Sequence, residues 1–190
     1  MEKFFEIMQT ILKLKATVRT GWNKKPRKNE KWKRRVVKNA ESVADHSFSI
    51  SFMAMLVAEM FNLDQLKMIK MALIHDLAES VTGDIVTETE RGARKRKMEL
   101  KKQVAELSVM ESIFAKIPGG NEYLNLWIEF EEQSTPEARI VRQLDKIEAV
   151  LQARYYKDSG QRVQPEEFLS TARPLISEPL LKELLELCDE

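Results

Sequence analysis

The chain contains only two histidines, and each of them lies next to an aspartate, in Asp45-His46 and His75-Asp76. The second pair opens the stretch HDLAESVTGD, in which two further acids, Glu79 and Asp84, follow within ten residues. An apolar run precedes this stretch, so its first residues are expected to be buried. A buried carboxylate is costly unless it is paired or bound to a metal. Imidazoles beside carboxylates therefore point to a divalent cation, and this donor set suits Mn, Fe, Co, Ni or Zn better than Ca.

Two histidines and two aspartates would supply four ligands and leave positions open for water and substrate, as in a catalytic site. His46, His75 and Asp76 are three candidates. Asp145 is the best candidate for the fourth, because it lies where its helix otherwise needs an apolar residue. The alternative is structural, since a single histidine on an apolar helix is more often a hydrogen-bonded core residue than a ligand. An all-thiolate zinc site is excluded, because the chain has one cysteine.

The composition is that of a helical globular chain. Of the 190 residues, 43% are hydrophobic and 32% are charged, the net charge is +1, and there are only six glycines and six prolines. This length allows one domain with a substantial core. The lone Cys188 cannot form an internal disulfide, which fits a reducing, cytoplasmic location. No apolar run reaches the roughly 18 residues of a membrane helix, so no membrane partner is expected.

The spacing of apolar residues predicts helices over most of the chain. The apolar stripe within residues 2–17 is expected to pack into the core. Asp64 is a plausible N-cap for a helix that runs to about Ser80, and Thr135 followed by a proline marks another helix start. Further helices are predicted at 43–61 and 88–116, and the first half of the latter is expected to be mostly exposed.

Residues 19–38 are strongly basic, with ten lysines and arginines against one acid. Clustered positive charge concentrates anions near a surface, and the tryptophans at 22 and 32 could stack on bases. The segment is therefore either a solvated loop or a surface that attracts phosphate. A small phosphorylated ligand is favoured over polymeric nucleic acid.

Four motifs together resemble a known family. The order His46, His75-Asp76, Asp145 matches the H…HD…D order of the HD-domain metal-dependent phosphohydrolases. The resemblance is closest to their 5′-deoxynucleotidase branch, in particular the HD-domain-containing protein 2 group, and it spans about residues 5 to 157. The motifs are RTGW at 19–22, ESVADHS at 41–47, ALIHDLAESVTGDI at 72–85 and EARIVRQLDKIEAVLQA at 137–153.

This resemblance implies an all-α fold, a single HD-domain helical bundle around one metal site, here residues 1–190. It implies hydrolysis of deoxyribonucleoside 5′-monophosphates to deoxynucleoside and phosphate by a homodimer. The metal would be Co²⁺ or Mn²⁺, with Mg²⁺, Fe²⁺, Ni²⁺ or Zn²⁺ as alternatives. The implied ligands are His46, His75, Asp76 and Asp145.

The resemblance also implies roles for four other residues. Glu79 would activate or orient the attacking water, and Asp84 would lie beside the phosphate and assist as acid or base. Arg19 would hold the phosphate, and Trp22 would crowd the sugar and disfavour a 2′-hydroxyl. The segment between RTGW and ESVADHS is about ten residues longer than the family pattern, so Arg34 or Arg35 could replace Arg19.

Two other functions stay open from the sequence. One is an HD phosphohydrolase that acts on another phosphomonoester or on a signalling nucleotide; the alarmone-hydrolase type carries HDxxED, whereas Ser80 follows Glu79 here. The other is a nucleic-acid-binding regulatory protein with a vestigial HD site. The complete set of implied ligands, together with Glu79 and Asp84, argues against a vestigial site.

Overall fold

A computed structural model describes residues 1–23, 36–85 and 92–188. Within these ranges the fold is all-α, as predicted, and the only extended pairings are isolated bridges between Val18 and Ser42 and between Val36 and Arg162. The helices are α1 (Glu2–Lys13), α2 (Val43–Phe61), α3 (Gln65–Ile74), α4 (Glu79–Thr82), α5 (Gly92–Phe114), α6 (Gly120–Glu132), α7 (Pro136–Asp158), α8 (Pro165–Ala172) and α9 (Pro179–Leu187). Short 3₁₀ turns occupy Thr20–Asn23 and Arg173–Leu175.

The main core lies where α2, α3 and α7 pack together. Its fully buried side chains include Ile50 of α2, Met68 and Met71 of α3, and Leu144 and Ile147 of α7. Burying apolar surface of this kind supplies most of the stability of a helical bundle. His46 lies on α2 and Asp145 on α7, and His75-Asp76 follow directly on the last residue of α3, so the core holds these residues in place.

Helix starts agree with the capping residues in the sequence. Ser42 and Asp45 form a reciprocal capping box at the start of α2. The side chain of Asp64 accepts a hydrogen bond from the backbone N–H of Lys67, and Thr135 caps α7 ahead of its proline. Each of these hydrogen bonds joins residues three positions apart, so it depends only on the local sequence.

The helix that was predicted to continue to about Ser80 ends at Ile74, so that prediction was wrong in its C-terminal part. Two side chains donate hydrogen bonds to backbone carbonyls that would accept backbone N–H groups if the helix continued. The ring of His75 donates a hydrogen bond from Nδ1 to the carbonyl of Ala72 at 2.7 Å, and the indole of Trp127 donates to the carbonyl of His75 at 3.0 Å. The backbone then tightens into i→i+3 turns before α4 begins.

The predicted burial of the α1 stripe was largely wrong. Of its apolar side chains only Ile7 and Leu14 are buried, and the exposed ones include Phe4, Phe5 and Leu12. The reason is that α1 packs mainly against α4, which has only four residues and is too short to cover a twelve-residue helix.

At the other end of the chain, the lone Cys188 is buried in the main core. Among the helices of the described ranges, none combines the length and apolar character that a membrane crossing requires.

Candidate metal centre

The predicted ligand residues converge from three places in the fold. Nε2 of His46, on α2, lies 3.2 Å from Oδ1 of Asp145 on α7. Beyond the end of α3, Nε2 of His75 lies 3.2 Å from Oδ2 of Asp76, and that same oxygen is 3.9 Å from Nε2 of His46. One ligand atom from each of His46, His75 and Asp145 lies within 4.8 Å of the other two. The structure thus brings together four residues that are up to 99 positions apart.

The donor set fits a divalent cation. His46, His75 and Asp145 are buried, and Nε2 of His75 has no hydrogen-bond partner within the part of the chain that the structure describes. A buried polar atom left without a partner is costly. A cation among these imidazole and carboxylate donors would satisfy that atom and neutralise the acids.

Hydrogen bonds fix which ring nitrogen of each histidine faces the cluster. Because a carbonyl only accepts, Nδ1 of His75 must carry a proton, which it donates to Ala72, and Nε2 faces the acids. Nδ1 of His46 lies 2.6 Å from Oε2 of Glu148, a buried carboxylate one turn after Asp145. Metal-ligating histidines commonly donate their second N–H to a carboxylate or carbonyl in this way.

Glu148 was not among the residues predicted for the site. Its spacing could have identified it, because a residue three positions after Asp145 shares the same face of the helix.

Replacing Glu148 with alanine is expected to weaken metal binding by about 10- to 100-fold, since His46 loses the group that orients its ring. Competition with a fluorescent chelator measures this affinity. The control is Glu111→Ala at an exposed position of α5, and equal affinities in the two variants would contradict the role of Glu148.

The charged groups around the cluster favour ionised aspartates and a protonated His46. Burial and Arg19 act to lower the pKa of His46, but hydrogen bonds with Asp145 and Glu148 raise it to about 10. Burial acts to raise the pKa of Asp76, yet His75 and Arg19 hold it well below its usual range. The pKa of Asp145 is likewise lowered, against burial, chiefly by Lys146 and His46. Metal binding would therefore displace a proton from His46.

The RTGW motif lies against the HD motif. Nη1 of Arg19 donates a hydrogen bond to Oδ2 of Asp76 at 3.1 Å. The backbone N–H and the hydroxyl of Thr20 both donate to Oδ2 of Asp84, at 2.7 and 3.1 Å. Thr20 was not predicted to take part, although it follows Arg19 directly. A guanidinium therefore lies beside the acidic cluster, where it could bind an anionic group.

Glu79 begins α4 and is buried, with its side chain 2% exposed. Its Oε1 accepts a hydrogen bond from Nζ of Lys102 at 3.3 Å, whereas its Oε2 has no hydrogen-bond partner within the described ranges. Burial raises the pKa of Glu79, and the charges of Asp76 and Asp84 raise it further, while Lys102 opposes them. Lys102 was missed, because the charged first half of its helix was expected to be exposed and nothing in its spacing sets it apart.

Trp22 is buried rather than open to the cluster. Its indole N–H donates to Oε1 of Glu41 at 2.9 Å, and its ring stacks on Phe168 with centroids 4.8 Å apart and meets Tyr156 edge-on at 5.0 Å. In this conformation the ring belongs to a small buried cluster that also includes Val37 and Ala153. The alternatives Arg34 and Arg35, and the tryptophan at 32, lie outside the described residues.

The chain is similar to known proteins over nearly all of its length. A profile described as "HD domain" matches residues 11–184. The 5′-deoxynucleotidase HDDC2 of Danio rerio is 31% identical over 192 residues, covering 100% of this chain and 88% of the relative. The HDDC2 of Dictyostelium discoideum is 32% identical, covering 97% and 95%. A solved structure of a conserved hypothetical protein from Pyrococcus furiosus is 28% identical, with a TM-score of 0.75 and coverage of 97% and 98%.

Proposed function

Because the chain belongs to the HD-domain family, we propose that it is a metal-dependent 5′-deoxynucleotidase, which hydrolyses deoxyribonucleoside 5′-monophosphates to deoxynucleoside and phosphate. The observation that carries the proposal is the buried cluster of His46, His75 and Asp145 with Arg19 beside it. A guanidinium next to a cation site suits the binding of a phosphate ester. The curated relatives described above bear the name of this activity.

His46, His75, Asp76 and Asp145 would hold the metal, which we propose to be Co²⁺ or Mn²⁺. A divalent cation at this position supplies a water nucleophile near neutral pH and stabilises negative charge on the phosphoryl oxygens. The histidines contribute the lone pairs of Nε2, because their Nδ1 atoms are engaged elsewhere. Arg19 would bind the phosphate through its planar guanidinium, which donates several hydrogen bonds at once.

The proton transfers are assigned to the two remaining acids. Glu79 would accept a proton from the attacking water as the new P–O bond forms, through Oε2, which has no hydrogen-bond partner among the described residues. Asp84, held by Thr20 at the edge of the site, would assist as acid or base beside the phosphate as the bond to the sugar oxygen breaks. Trp22, in the same motif as Arg19, would crowd the sugar and disfavour a 2′-hydroxyl, and shape is a modest discriminator.

We further propose that residues 1–190 form one HD domain that works in the cytoplasm as a homodimer. One cysteine in the whole chain suits a reducing compartment. Support for the dimer comes from an apolar stripe on the outer face of α2, where side chains four residues apart are each more than half exposed. These are Phe48, Phe52, Leu56 and Met60. Contiguous exposed apolar surface of this kind marks an interaction site, and a two-fold dimer would cover the stripe with its own copy.

Replacing Phe52 with glutamate is expected to convert the dimer into a monomer, because each copy would then bury a charge at the two-fold interface. Light scattering after gel filtration gives the mass directly. Leu175→Glu is the control, since Leu175 is equally exposed but lies far along the chain in the turn Arg173–Leu175. A wild-type monomer, or a Phe52→Glu dimer, would contradict the proposed interface.

The activity is tested by phosphate release from dAMP, dTMP, AMP and a generic phosphomonoester. Metal-stripped protein is assayed with Mn²⁺, Co²⁺ or Mg²⁺, and with EDTA. We expect metal-dependent release with preference for the deoxy substrates. Release from no monophosphate, by protein that binds metal, would overturn the proposal and favour a phosphodiester or a signalling nucleotide as substrate.

A further inference from the structure

Lys102 reaches the candidate site from α5, a helix that contains none of the four motifs. Its Nζ lies 3.3 Å from Oε1 of Glu79 and 3.5 Å from Oε1 of Glu106, one helical turn further along α5. Both carboxylates are buried, and the lysine side chain is about three-quarters covered. The ammonium group thus lies between one acid of the site and one acid of its own helix.

This arrangement is expected to add little to the stability of the fold. Removing two acids and a lysine from water costs about as much as their mutual attraction returns. A lysine is also long and flexible, so a single carboxylate rarely fixes it in one position. Glu106 contacts the same ammonium at 3.5 Å, and this second contact gives Lys102 a defined position from which to hold Glu79.

The contact has a consequence for the two oxygens of Glu79. Lys102 contacts Oε1, whereas Oε2 is buried without a hydrogen-bond partner within the described ranges. A carboxylate fixed through one oxygen cannot rotate freely. The other oxygen is then kept in one direction.

We propose that Lys102 is a positioning residue, which holds Glu79 through Oε1 so that Oε2 meets the attacking water, and that Glu106 anchors Lys102 in turn. This inference rests on the proposed function, in which Glu79 accepts the proton of that water. It adds a residue from outside the four motifs to the site. Lys102 itself need not touch the substrate.

The test uses the full-length, metal-loaded protein with dAMP and compares Lys102→Ala, Lys102→Arg and the wild type. We expect Lys102→Ala to lower kcat by about 100-fold, the size of effect that a misplaced reacting group produces. KM and metal affinity should stay within about twofold of wild type, because Lys102 is proposed to contact neither substrate nor metal. Lys102→Arg should recover most of kcat, since its guanidinium can still bind Oε1. Lys101→Ala, at the exposed neighbouring position, is the matched control and should behave as wild type.

Three results would overturn the inference. A raised KM with unchanged kcat would make Lys102 a substrate contact instead. Equal loss of metal affinity and kcat in both Lys102 variants would indicate a merely structural role. Wild-type kinetics in Lys102→Ala would leave Lys102 without any role in turnover.

A substrate-free measurement separates this inference from the proposed function. If the wild type hydrolyses no deoxynucleotide, the proposed function fails and the catalytic part of the inference fails with it. The contact is tested by the Tm shift that Lys102→Ala causes in the wild type and in a Glu79→Gln background. A smaller shift in the Glu79→Gln background is expected if the two side chains interact, and equal shifts would overturn the contact.

Discussion

Replacing Asp145 with alanine is expected to abolish metal binding while α7 stays folded. Asp145 contributes a buried carboxylate whose Oδ1 lies 3.2 Å from Nε2 of His46, at the centre of the cluster. Losing a ligand should cost more than the roughly 100-fold loss in affinity that follows removal of a group behind a ligand. The helix should persist, because Leu144 and Ile147 stay buried on either side of the substitution and alanine is the strongest helix former.

Metal content after dialysis, measured by mass spectrometry, decides the first part of this prediction, and far-ultraviolet circular dichroism decides the second. Asp158→Ala is the matched control, because Asp158 is an exposed aspartate on the same helix. It should retain metal as the wild type does. Full occupancy in the Asp145→Ala protein would remove Asp145 from the ligand set.

The parts of the fold that could be predicted from sequence depend on contacts between near neighbours. Ser42 bonds with Asp45 and Asp64 with Lys67, so each helix start is encoded within four residues. The candidate ligands could also be predicted, for a different reason. The chain has two histidines, and both adjoin an aspartate, so few combinations had to be weighed.

The features that could not be predicted depend on contacts between distant parts of the chain. The end of α3 depends in part on an indole 52 residues away, and Glu148 meets His46 across 102 residues. Local spacing predicts a longer helix, and only the packed fold supplies the competing donor from Trp127. The burial of Trp22 has the same origin, because Phe168 and Tyr156 come from the far end of the chain.

The site therefore consists of two groups of residues. The metal-binding candidates can be identified from the sequence, whereas the residues that contact and orient the site's side chains are brought to them only by the fold. Glu148 orients His46, Thr20 holds Asp84, and Lys102 holds Glu79. Each of these contacts fixes a group that the sequence had already proposed for the site. Groups of this second kind commonly decide how well a site works, because reacting groups must be held close to their productive geometry.

Replacing Glu79 with alanine is expected to leave metal binding intact and to lower kcat by about 100- to 10,000-fold, the range for loss of a general base. The reason is positional. The carboxylate of Glu79 is held by Lys102 and its other oxygen has no partner in the described ranges, whereas the ligand atoms of His46, His75 and Asp145 come together without it.

Steady-state phosphate release from dAMP and metal content are measured on the same preparation of each protein. Glu79→Gln serves as a companion, because it preserves the shape of the side chain but cannot accept a proton from water at neutral pH. Equal losses of kcat in the two variants, with metal retained, would place the defect in proton transfer. Recovery of activity by glutamine would instead make Glu79 a group that only orients the water. Loss of metal in both variants would mean that Glu79 is itself a ligand, and Lys102 would then hold a ligand rather than a base.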